Sequence, residues 1–463
     1  LFNTLKREKQ EFEPAEEGQV KLYSCGQTIY DDLHVGNARA YVIWDTLRRY
    51  LQYKGYKVRH VQNITDVGHL TDDGDQGEDK VEKRAKELGL EPMELVEDQL
   101  ERYWEDTKAL NIKRQDIVPR ATGHINEMIH YIQDIMENGY AYQRNGNVYF
   151  DVDEFVTDYE YGEMARKELS ELKEEAESRV EEDPNKKNQY DFALWLNADE
   201  SHLMKWDSPW GEGYPGWHIE CSVMSQKYLG DEFDIHTGGK DHIFPHHPNE
   251  RAQAYAATGK GQARYWLHNE FIQVDGEKMS KSEGNFYTIR ELIEDGYSGE
   301  AIRFYLISSH YRSETNFSKN GLEKAEKEYD KVKRTLKKIE KSDGGKKALE
   351  NEINSLYNQF ENYMDDDLNT AKAKQSLMSF VNKVNSILED DESKDLSNAA
   401  KAIRELFGIL GIEFKESDSK ESSLVDLLID IRSQARENRN FEKSDYIREE
   451  LEKLGFEINL KIF

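Results

Sequence analysis

A strand–helix–strand pattern near the beginning of the chain constrains the fold more than any other feature. The stretch VKLYSC at 20–25 is typical of a buried strand, and VRHVQNIT at 58–65 suits a second one. Between them, apolar residues recur at helical spacing: Ala40, Ile43, Leu47 and Leu51. Two strands joined by a helix form a βαβ unit. We therefore predict a Rossmann-like parallel sheet whose first loop faces a ligand.

Length and composition place this sheet in a larger protein of several domains. A chain of 463 residues predicts roughly three domains. Beyond about residue 320 the pattern is almost wholly helical, which predicts an α/β domain followed by an all-α region. No run approaches the roughly 18 to 20 apolar residues of a membrane helix, and the first residues, LFNTLKREKQEFEP, lack a signal-peptide core. We therefore expect a cytoplasmic protein without a membrane partner.

The net charge of −29 argues against general binding to nucleic acids or anionic membranes. A nucleic-acid partner would need local basic patches, and Lys319–Lys347 supplies one, with 11 Lys or Arg against 6 Asp or Glu. The usual explanation of such a run, a solvated helix face, stays open. So does adaptation of the acidic surface to a salty cytoplasm.

The stretch HVGN at 34–37 lies between the first strand and its helix. His34 can donate a hydrogen bond to phosphate, Gly36 allows close approach of the backbone, and Asn37 offers an amide near the positive end of the helix. By themselves these residues are equally compatible with an ordinary helix cap.

The stretch KMSKS at 278–282 places Lys278 and Lys281 where they can neutralise a triphosphate during group transfer. By itself it is also compatible with a solvated lysine turn. HVGN at the first helix and KMSKS near the end of the second half of the sheet domain together resemble the two signatures of class I aminoacyl-tRNA synthetases.

Cysteine is rare, because the chain has only Cys25 and Cys221. A disulfide, two buried thiols and a metal site are the alternatives, and a large soluble chain has little need of the first. If a helix begins near His246, with Pro248 in its first turn, His246 and Glu250 lie on one face. Two cysteines, a histidine and a glutamate suit tetrahedral zinc. Spacing alone leaves a structural and a recognition zinc equally open.

Six stretches from about residue 20 to about residue 320 are together very similar to cysteinyl-tRNA synthetases. They are CGQTIYDDLHVGNARAYV, NITDV, PRATGHI, GWHIECSVMS, DIHTGGKDHIFPHHPNE and VDGEKMSKSEGN. The resemblance implies that Cys25, Cys221, His246 and Glu250 bind one Zn²⁺ and that the substrate thiolate ligates it. A hydrophobic pocket distinguishes near-isosteres such as cysteine and serine by only about 10 to 200-fold. Zinc prefers the thiolate, so we expect it to recognise the substrate.

The resemblance also implies a reaction. L-Cysteine and ATP, with Mg²⁺, would give cysteinyl adenylate, and the cysteinyl group would pass to the 3′ end of tRNA(Cys). The catalytic and ATP-binding residues would be His34, Gly36, Asn37, Lys278 and Lys281. The cysteine pocket would contain Gly26, Thr28, Trp217, His236 and Asp241. His242 and His247 are expected to be structural or surface residues.

The pattern and the resemblance together predict six parts of the chain. These are the first half of the catalytic domain (1–114), a connective insertion (115–212), the second half (213–270), a KMSKS and stem-contact region (271–320), a tRNA-binding helical bundle (321–413) and a C-terminal anticodon-binding region (414–463). We expect a monomer.

The C-terminal third must decide whether tRNA is the substrate. Arg432, Arg436 and Arg439 share one helical face by their spacing, in a segment that resembles anticodon-binding regions. A relative that joins cysteine to an amino sugar shares the catalytic domain. A cysteine:amino-sugar ligase and a non-catalytic RNA-binding relative therefore remain the alternatives.

Three features depart from the family pattern. Asn37 stands where a second histidine is more usual, and the last residues, LGFEINLKIF, lack the family's common acidic tail with proline and tryptophan. The segment GHLTDDGDQGEDK at 68–80 is longer than in many relatives, and the sequence assigns it no role.

Overall fold

The computed structural model describes most of the chain. The described residues are 1–71, 77–165, 169–179, 183–274, 276–278, 285–340, 348–390, 394–414, 428, 431–432, 443–444, 446–447 and 450–451. The chain divides into two compact units, Leu1–Ile412 and Glu413–Phe463. In the described part, no helix is both long enough and apolar enough to cross a bilayer.

The strands of the first unit are short outside the central sheet. They are β1 (Phe2–Asn3), β2 (Glu8–Lys9), β3 (Gln19–Thr28), β4 (Lys57–Thr65), β5 (Ala141–Arg144), β6 (Asn147–Phe150), β7 (Phe192–Asn197), β8 (Gly213–Pro215), β9 (Glu232–Gly239), β10 (Gln262–Asn269), β11 (Ile272–Val274), β12 (Glu277–Lys278) and β13 (Thr315–Phe317).

The helices lengthen toward the end of the unit. They are α1 (Val35–Tyr53), α2 (Lys80–Leu88), α3 (Pro92–Ala109), α4 (Ile125–Glu137), α5 (Val152–Phe155), α6 (Leu169–Arg179), α7 (Ile219–Leu229), α8 (His246–Thr258), α9 (Ile289–Glu294), α10 (Gly299–Leu306), α11 (Lys319–Glu340), α12 (Glu350–Asp365), α13 (Thr370–Asp390) and α14 (Ser397–Ile409). Single 3-10 turns cover Ala121–His124, Glu163–Ala165 and Lys240–Ile243.

The central sheet has the order β10–β9–β3–β4, and all of its pairs are parallel. The predicted βαβ unit is therefore present as β3, α1 and β4. Val20, Leu22 and Tyr23 of β3 are fully buried, as expected for a sheet covered on both faces. In such sheets, ligands bind outside the carboxyl ends of the strands, where β3 and β9 lead into the HVGN and FPHHPNE segments.

The connective region carries an antiparallel sheet of the order β5–β6–β7–β8. Its last strand, β8, begins at Gly213, one residue beyond the predicted end of the insertion. Near the predicted start of the insertion, Ile117 and Arg120 form parallel bridges with β4 of the central sheet. The boundaries of the six predicted parts stay predictions.

The segment that follows the central sheet returns to the HVGN loop. The strands β12, β11 and β13 form a small sheet. The backbone between β12 and β13 pairs with the residues just before and at the start of α1. The Val35 amide donates to the Tyr287 carbonyl at 3.0 Å, and the Ile289 amide donates to the Leu33 carbonyl at 2.8 Å. Arg39 of α1, fully buried, donates to the carbonyl of Glu270 at 2.9 Å. The HVGN helix thus anchors the chain on both sides of the KMSKS stretch.

Three consecutive aspartates fasten the helical bundle of α11 to α14 to the catalytic sheet domain. Asp365 accepts from the Tyr50 hydroxyl at 2.7 Å, at the end of α1. Asp366 pairs with Lys9. Asp367, fully buried, accepts from the Tyr311 hydroxyl at 2.7 Å. The DDDLNTAKA stretch therefore joins the bundle to the helix that begins at HVGN.

Replacing Arg303 by methionine is expected to lower the free energy of unfolding by about 3 to 5 kcal/mol, because it leaves the buried carboxylate of Asp45 without a main partner. Arg303 is fully buried and donates to Asp45 Oδ2 at 2.6 Å and to the Leu410 carbonyl at 2.9 Å. Arg404→Met, at a partly exposed ion pair with Glu340, is the control, expected to cost less than about 1 kcal/mol. Denaturant unfolding compares the two, and equal losses would contradict the account.

Acid is expected to destabilise the fold through His60 of β4. Burial, and secondarily the charge of Arg48, lowers the pKa of His60 from 6.5 to about 3. Since the unfolded chain then binds the extra proton, stability falls as the pH drops below the unfolded pKa, by about 1.5 kcal/mol between pH 6.5 and 5. Urea unfolding at both pH values should show that His60→Gln reduces this loss by that amount. An undiminished loss in the variant would refute the assignment.

Candidate active site and metal centre

A cavity of about 1010 Å³ opens at the carboxyl ends of β3 and β9. The residues predicted from the sequence that line it are Cys25, Gly26, Thr28, His34, Gly36, Asn37, Trp217, Cys221, Asp241 and His246. The register between β3 and β4 shifts between Ser24 and Gln27, and the two residues in between, Cys25 and Gly26, both line the cavity. An irregular strand end thus places the first cysteine at the ligand site.

The four predicted metal ligands come together at the base of this cavity. One ligand atom from each of Cys25, Cys221, His246 and Glu250 lies within 4.8 Å of all the others, and all four residues are buried. The two sulfur atoms are 4.0 Å apart, close to the separation of about 3.8 Å that tetrahedral zinc imposes at a Zn–S distance of about 2.3 Å. Helix α8 begins at His246 as predicted. Nε2 of His246 lies 3.0 Å from Glu250 Oε1.

The cluster holds negative charge away from water. A hydrogen bond from the Cys25 thiol lowers the pKa of Cys221 to about 6, although burial opposes ionisation. Burial also opposes ionisation of Glu250, but His236 and His246 hold the pKa of its carboxyl below the usual value. Although burial opposes its charge, Cys221 and Glu250 raise the pKa of His246 to about 10, so its imidazolium balances part of this charge. A divalent cation is the other partner that this donor set fits.

Two further histidines contact the ligands and orient them. His218 Nδ1 lies 2.8 Å from His246 Nδ1, which leaves Nε2 of His246 facing the cluster. His236 Nε2 lies 2.9 Å from Glu250 Oε2, and His236 is fully buried. Such partners fix the orientation of metal-binding side chains. His236 contacts Glu250 and is not among the residues that line the cavity, so its place in the cysteine pocket stays a prediction.

His247 is also fully buried, in agreement with the structural one of its two expected positions. Together with Cys25, His236 and Glu250 it forms a second set of potential ligand atoms within 4.8 Å of one another. The two sets share Cys25 and Glu250. Three members of the first set line the cavity, whereas His236 and His247 do not, so only the first set would hold a metal within reach of a ligand.

His34, Gly36 and Asn37 of the HVGN stretch line the same cavity. His34 caps α1, because its Nδ1 accepts from the Gly36 amide at 3.1 Å and from the Asn37 amide at 3.4 Å. Burial lowers the pKa of His34 to about 4. The ring is therefore neutral at pH 7, with its proton on Nε2 as a hydrogen-bond donor. This donor, the Asn37 side-chain amide and the positive end of the α1 dipole together suit an anion.

The predicted cysteine pocket is compact around Gly26. A Cβ atom at Gly26 would lie 1.6 Å from the Asn63 carbonyl oxygen, so no side chain fits there. Thr28 and Trp217 are half-buried on the cavity wall, and the Trp217 ring lies 4.6 Å from that of the ligand His246. The exposed carboxylate of Asp241 adds a negative group to the same cavity.

The remaining predicted residues lie partly outside the described residues. The backbone of Lys278 pairs with Gln273, which lines the cavity, whereas Lys281 is not described. Arg436 and Arg439 are likewise outside the described residues. Arg432 is described and is only 8% exposed, and the contacts of the three arginines with RNA stay predictions.

Sequence reasoning missed several residues of the cavity wall. His69 and Lys80 line it, and both come from the long segment to which no role was assigned. Tyr161 and Asn249 line it as well, joined by a hydrogen bond of 2.5 Å from the tyrosine hydroxyl to Asn249 Oδ1. Only the unusual length of the segment at 68–80 gave a signal in advance.

Solved structures with the same fold define the class of protein. Methionyl-tRNA synthetase of Mycobacterium tuberculosis, in complex with methionyl-adenylate, superimposes with a TM-score of 0.58 at 15% identity, over 85% of this chain and 89% of that one. A LeuRS–tRNA–LeuAMS complex from Agrobacterium radiobacter superimposes with a TM-score of 0.60 at 11% identity, over 89% and 88% of the two chains. The fold is that of the class I aminoacyl-tRNA synthetases.

Sequence relatives narrow the class to one family. Residues 11–327 match the family of class I (C) tRNA synthetase catalytic domains, and residues 359–415 match the DALR domain. A cysteine–tRNA ligase of Thermus thermophilus is 45% identical over 98% of this chain and 96% of its own length. One of Thermococcus onnurineus is 44% identical over 99% and 96%. The chain belongs to the cysteine–tRNA ligase family.

Proposed function

We propose that this chain activates L-cysteine with ATP and transfers the cysteinyl group to the 3′ end of tRNA(Cys). The observation that carries the proposal is the buried set of Cys25, Cys221, His246 and Glu250, open to a cavity that also holds the HVGN helix start. A thiol-recognising group and a phosphate-binding group in one cavity are what activation of cysteine requires.

The four-residue set would hold Zn²⁺. When bound, zinc supplies a Lewis acid that prefers a thiolate to a neutral hydroxyl and lowers the pKa of the thiol. The protein's contribution is orientation: His218 fixes the ring of His246, and His236 fixes the carboxylate of Glu250. Because sulfur selection occurs at this set, serine would be rejected on binding, without a separate editing site.

The part of the cavity at HVGN would hold ATP with Mg²⁺. His34 Nε2 would donate to phosphate oxygens, the Asn37 side chain adds an amide donor, and the α1 dipole adds partial positive charge. The carboxylate of cysteine attacks the α-phosphate, and pyrophosphate leaves with the charge that Lys278 and Lys281 would neutralise. Gln273 and Phe286, which flank the stretch in sequence, line the cavity, and this supports the role of the two lysines.

Transfer to tRNA is favoured over ligation to an amino sugar by the C-terminal part of the chain. The DALR match at residues 359–415 covers α13 and α14, and the aspartates at 365–367 fasten this part to the catalytic domain. A ligase for a small amino sugar has no need of such a bundle. The basic helix α11 would lie beside the RNA and track its phosphates.

Two assays on one preparation test the proposal. The first is ATP–pyrophosphate exchange dependent on cysteine, and the second is charging of a tRNA with a GCA anticodon, with an amino sugar offered as the competing acceptor. We expect exchange and charging of the tRNA. Exchange with ligation to the sugar alone would favour the amino-sugar ligase, and no exchange with intact RNA binding would favour the non-catalytic relative.

A further inference from the structure

The two described ends of the long segment, 68–71 and 77–80, contact each other, and His69 and Lys80 line the cavity. The Thr71 amide donates to the Glu78 carbonyl, and the Lys80 amide donates to the His69 carbonyl, both at 3.0 Å. Asp79 Oδ2 accepts from the Gly68 amide at 2.7 Å. These bonds join the two ends of the segment, so His69 and Lys80 are held side by side.

Gly68 packs closely against Pro215 at the end of β8, the strand that leads to Trp217. Gly68 has a φ of 79°, and a Cβ atom there would lie 2.6 Å from the Pro215 carbonyl oxygen. Only glycine combines this left-handed conformation with so close an approach. The position of His69 relative to Trp217 is therefore set by the backbone on both sides.

His69 contacts two residues of the predicted cysteine pocket at once. Its ring stacks on that of Trp217, with 4.0 Å between the ring centroids and 9° between the planes. Its Nδ1 lies 2.5 Å from Thr28 Oγ1, and its Nε2 lies 2.8 Å from Lys80 Nζ. His69 is only 9% exposed. The imidazole thus bridges opposite parts of the cavity wall.

The hydrogen bonds fix the direction of each proton. A lysine ammonium can only donate, so Nε2 of His69 accepts from Lys80. The neutral ring then carries its proton on Nδ1 and donates it to Thr28 Oγ1. With its oxygen occupied as an acceptor, the Thr28 hydroxyl directs its own proton to another acceptor, and Thr28 lines the cavity.

We propose that His69 is a positioning residue of the amino-acid subsite, an inference that rests on the proposed cysteine activation. It holds Trp217 flat against its ring and sets the Thr28 hydroxyl as a donor toward the carboxylate of the bound amino acid. Since Trp217 also contacts the ligand His246, the stack links this subsite to the thiol-recognising end of the cavity. The segment at 68–80 thereby acquires a role in substrate binding.

Three variants separate the stack from the hydrogen bond. His69→Phe keeps an aromatic ring on Trp217 but loses the donor, His69→Asn keeps a donor near Nδ1 but loses the stack, and His69→Ala loses both. In ATP–pyrophosphate exchange we expect KM for cysteine to rise up to about tenfold for Phe and for Asn, and further for Ala, because one net hydrogen bond contributes about 0.5 to 1.5 kcal/mol. KM for ATP should stay within twofold.

The control is His130→Asn, at an exposed histidine of α4, which should leave both KM values unchanged. Melting temperature and metal content are measured for every variant, and the Phe and Asn variants decide the matter if the Ala variant does not fold. If the variants are active and KM for cysteine is unchanged, or if both KM values rise equally, the role of His69 is refuted while the proposed function stands. A wild-type chain without cysteine-dependent exchange would instead overturn the proposed function beneath it.

Discussion

Cysteine activation by the Cys221→Ser variant is expected to fall by roughly 100-fold or more in kcat/KM. Loss of residues that merely orient metal ligands already costs about 10 to 100-fold, and a ligand itself should cost at least as much. A serine hydroxyl is a poor substitute, because it remains neutral where Cys221, with its pKa lowered to about 6 by the Cys25 thiol, is ionised at pH 7. Exchange kinetics and metal analysis of the purified variant measure the effect.

The matched control for this substitution is Ser379→Ala, a change of similar size on the exposed face of α13. It should retain full metal content and activity. The Cys25→Ser variant should behave like Cys221→Ser, because both sulfur atoms belong to the same set of ligand atoms. A Cys221→Ser chain that keeps its metal and activates cysteine at the normal rate would show that this thiol is not a ligand.

The second large effect is expected at His34. The His34→Asn variant should lose roughly 100 to 1000-fold in kcat, the usual cost of removing one donor that stabilises charge in a transition state. Its melting temperature should hardly change, because asparagine caps helices well and can accept from the amides that Nδ1 now serves.

Comparison with His34→Ala separates the two roles of this side chain. Alanine removes the cap as well as the donor, so this variant should be less stable by about 1 kcal/mol while losing activity to the same extent. Calorimetry and single-turnover exchange provide the two readouts. If His34→Asn were as active as the wild type, His34 would be a helix cap and nothing more.

Much of the catalytic domain was predictable from local patterns. The βαβ unit follows from the spacing of apolar residues between 20 and 65, and the pairing of His246 with Glu250 follows from their spacing on one helix. Both predictions depend only on residues close together in the chain. The zinc role of the two cysteines, in contrast, rested on resemblance, because nothing local tells which distant residues share a site.

The residues that were misplaced or missed all depend on contacts between distant segments. His236 was expected in the pocket, and its contact with Glu250 joins residues of β9 and α8. His69 meets Trp217 only because β8 and the segment at 68–80 pack together. The three aspartates at 365–367 contact α1 and the N-terminal residues, which lie hundreds of positions away. No periodicity in the sequence encodes such pairings.

The central claim is that a metal held by Cys25, Cys221, His246 and Glu250 selects the sulfur of the substrate. The most direct measurement is ATP–pyrophosphate exchange with cysteine and with serine on the native, metal-stripped and zinc-restored chain. The account predicts that the native chain strongly prefers cysteine to serine. Removal of the metal should abolish both this preference and the cysteine-dependent exchange, and added zinc should restore them. Equal cysteine-dependent exchange before and after complete removal of the metal would contradict it.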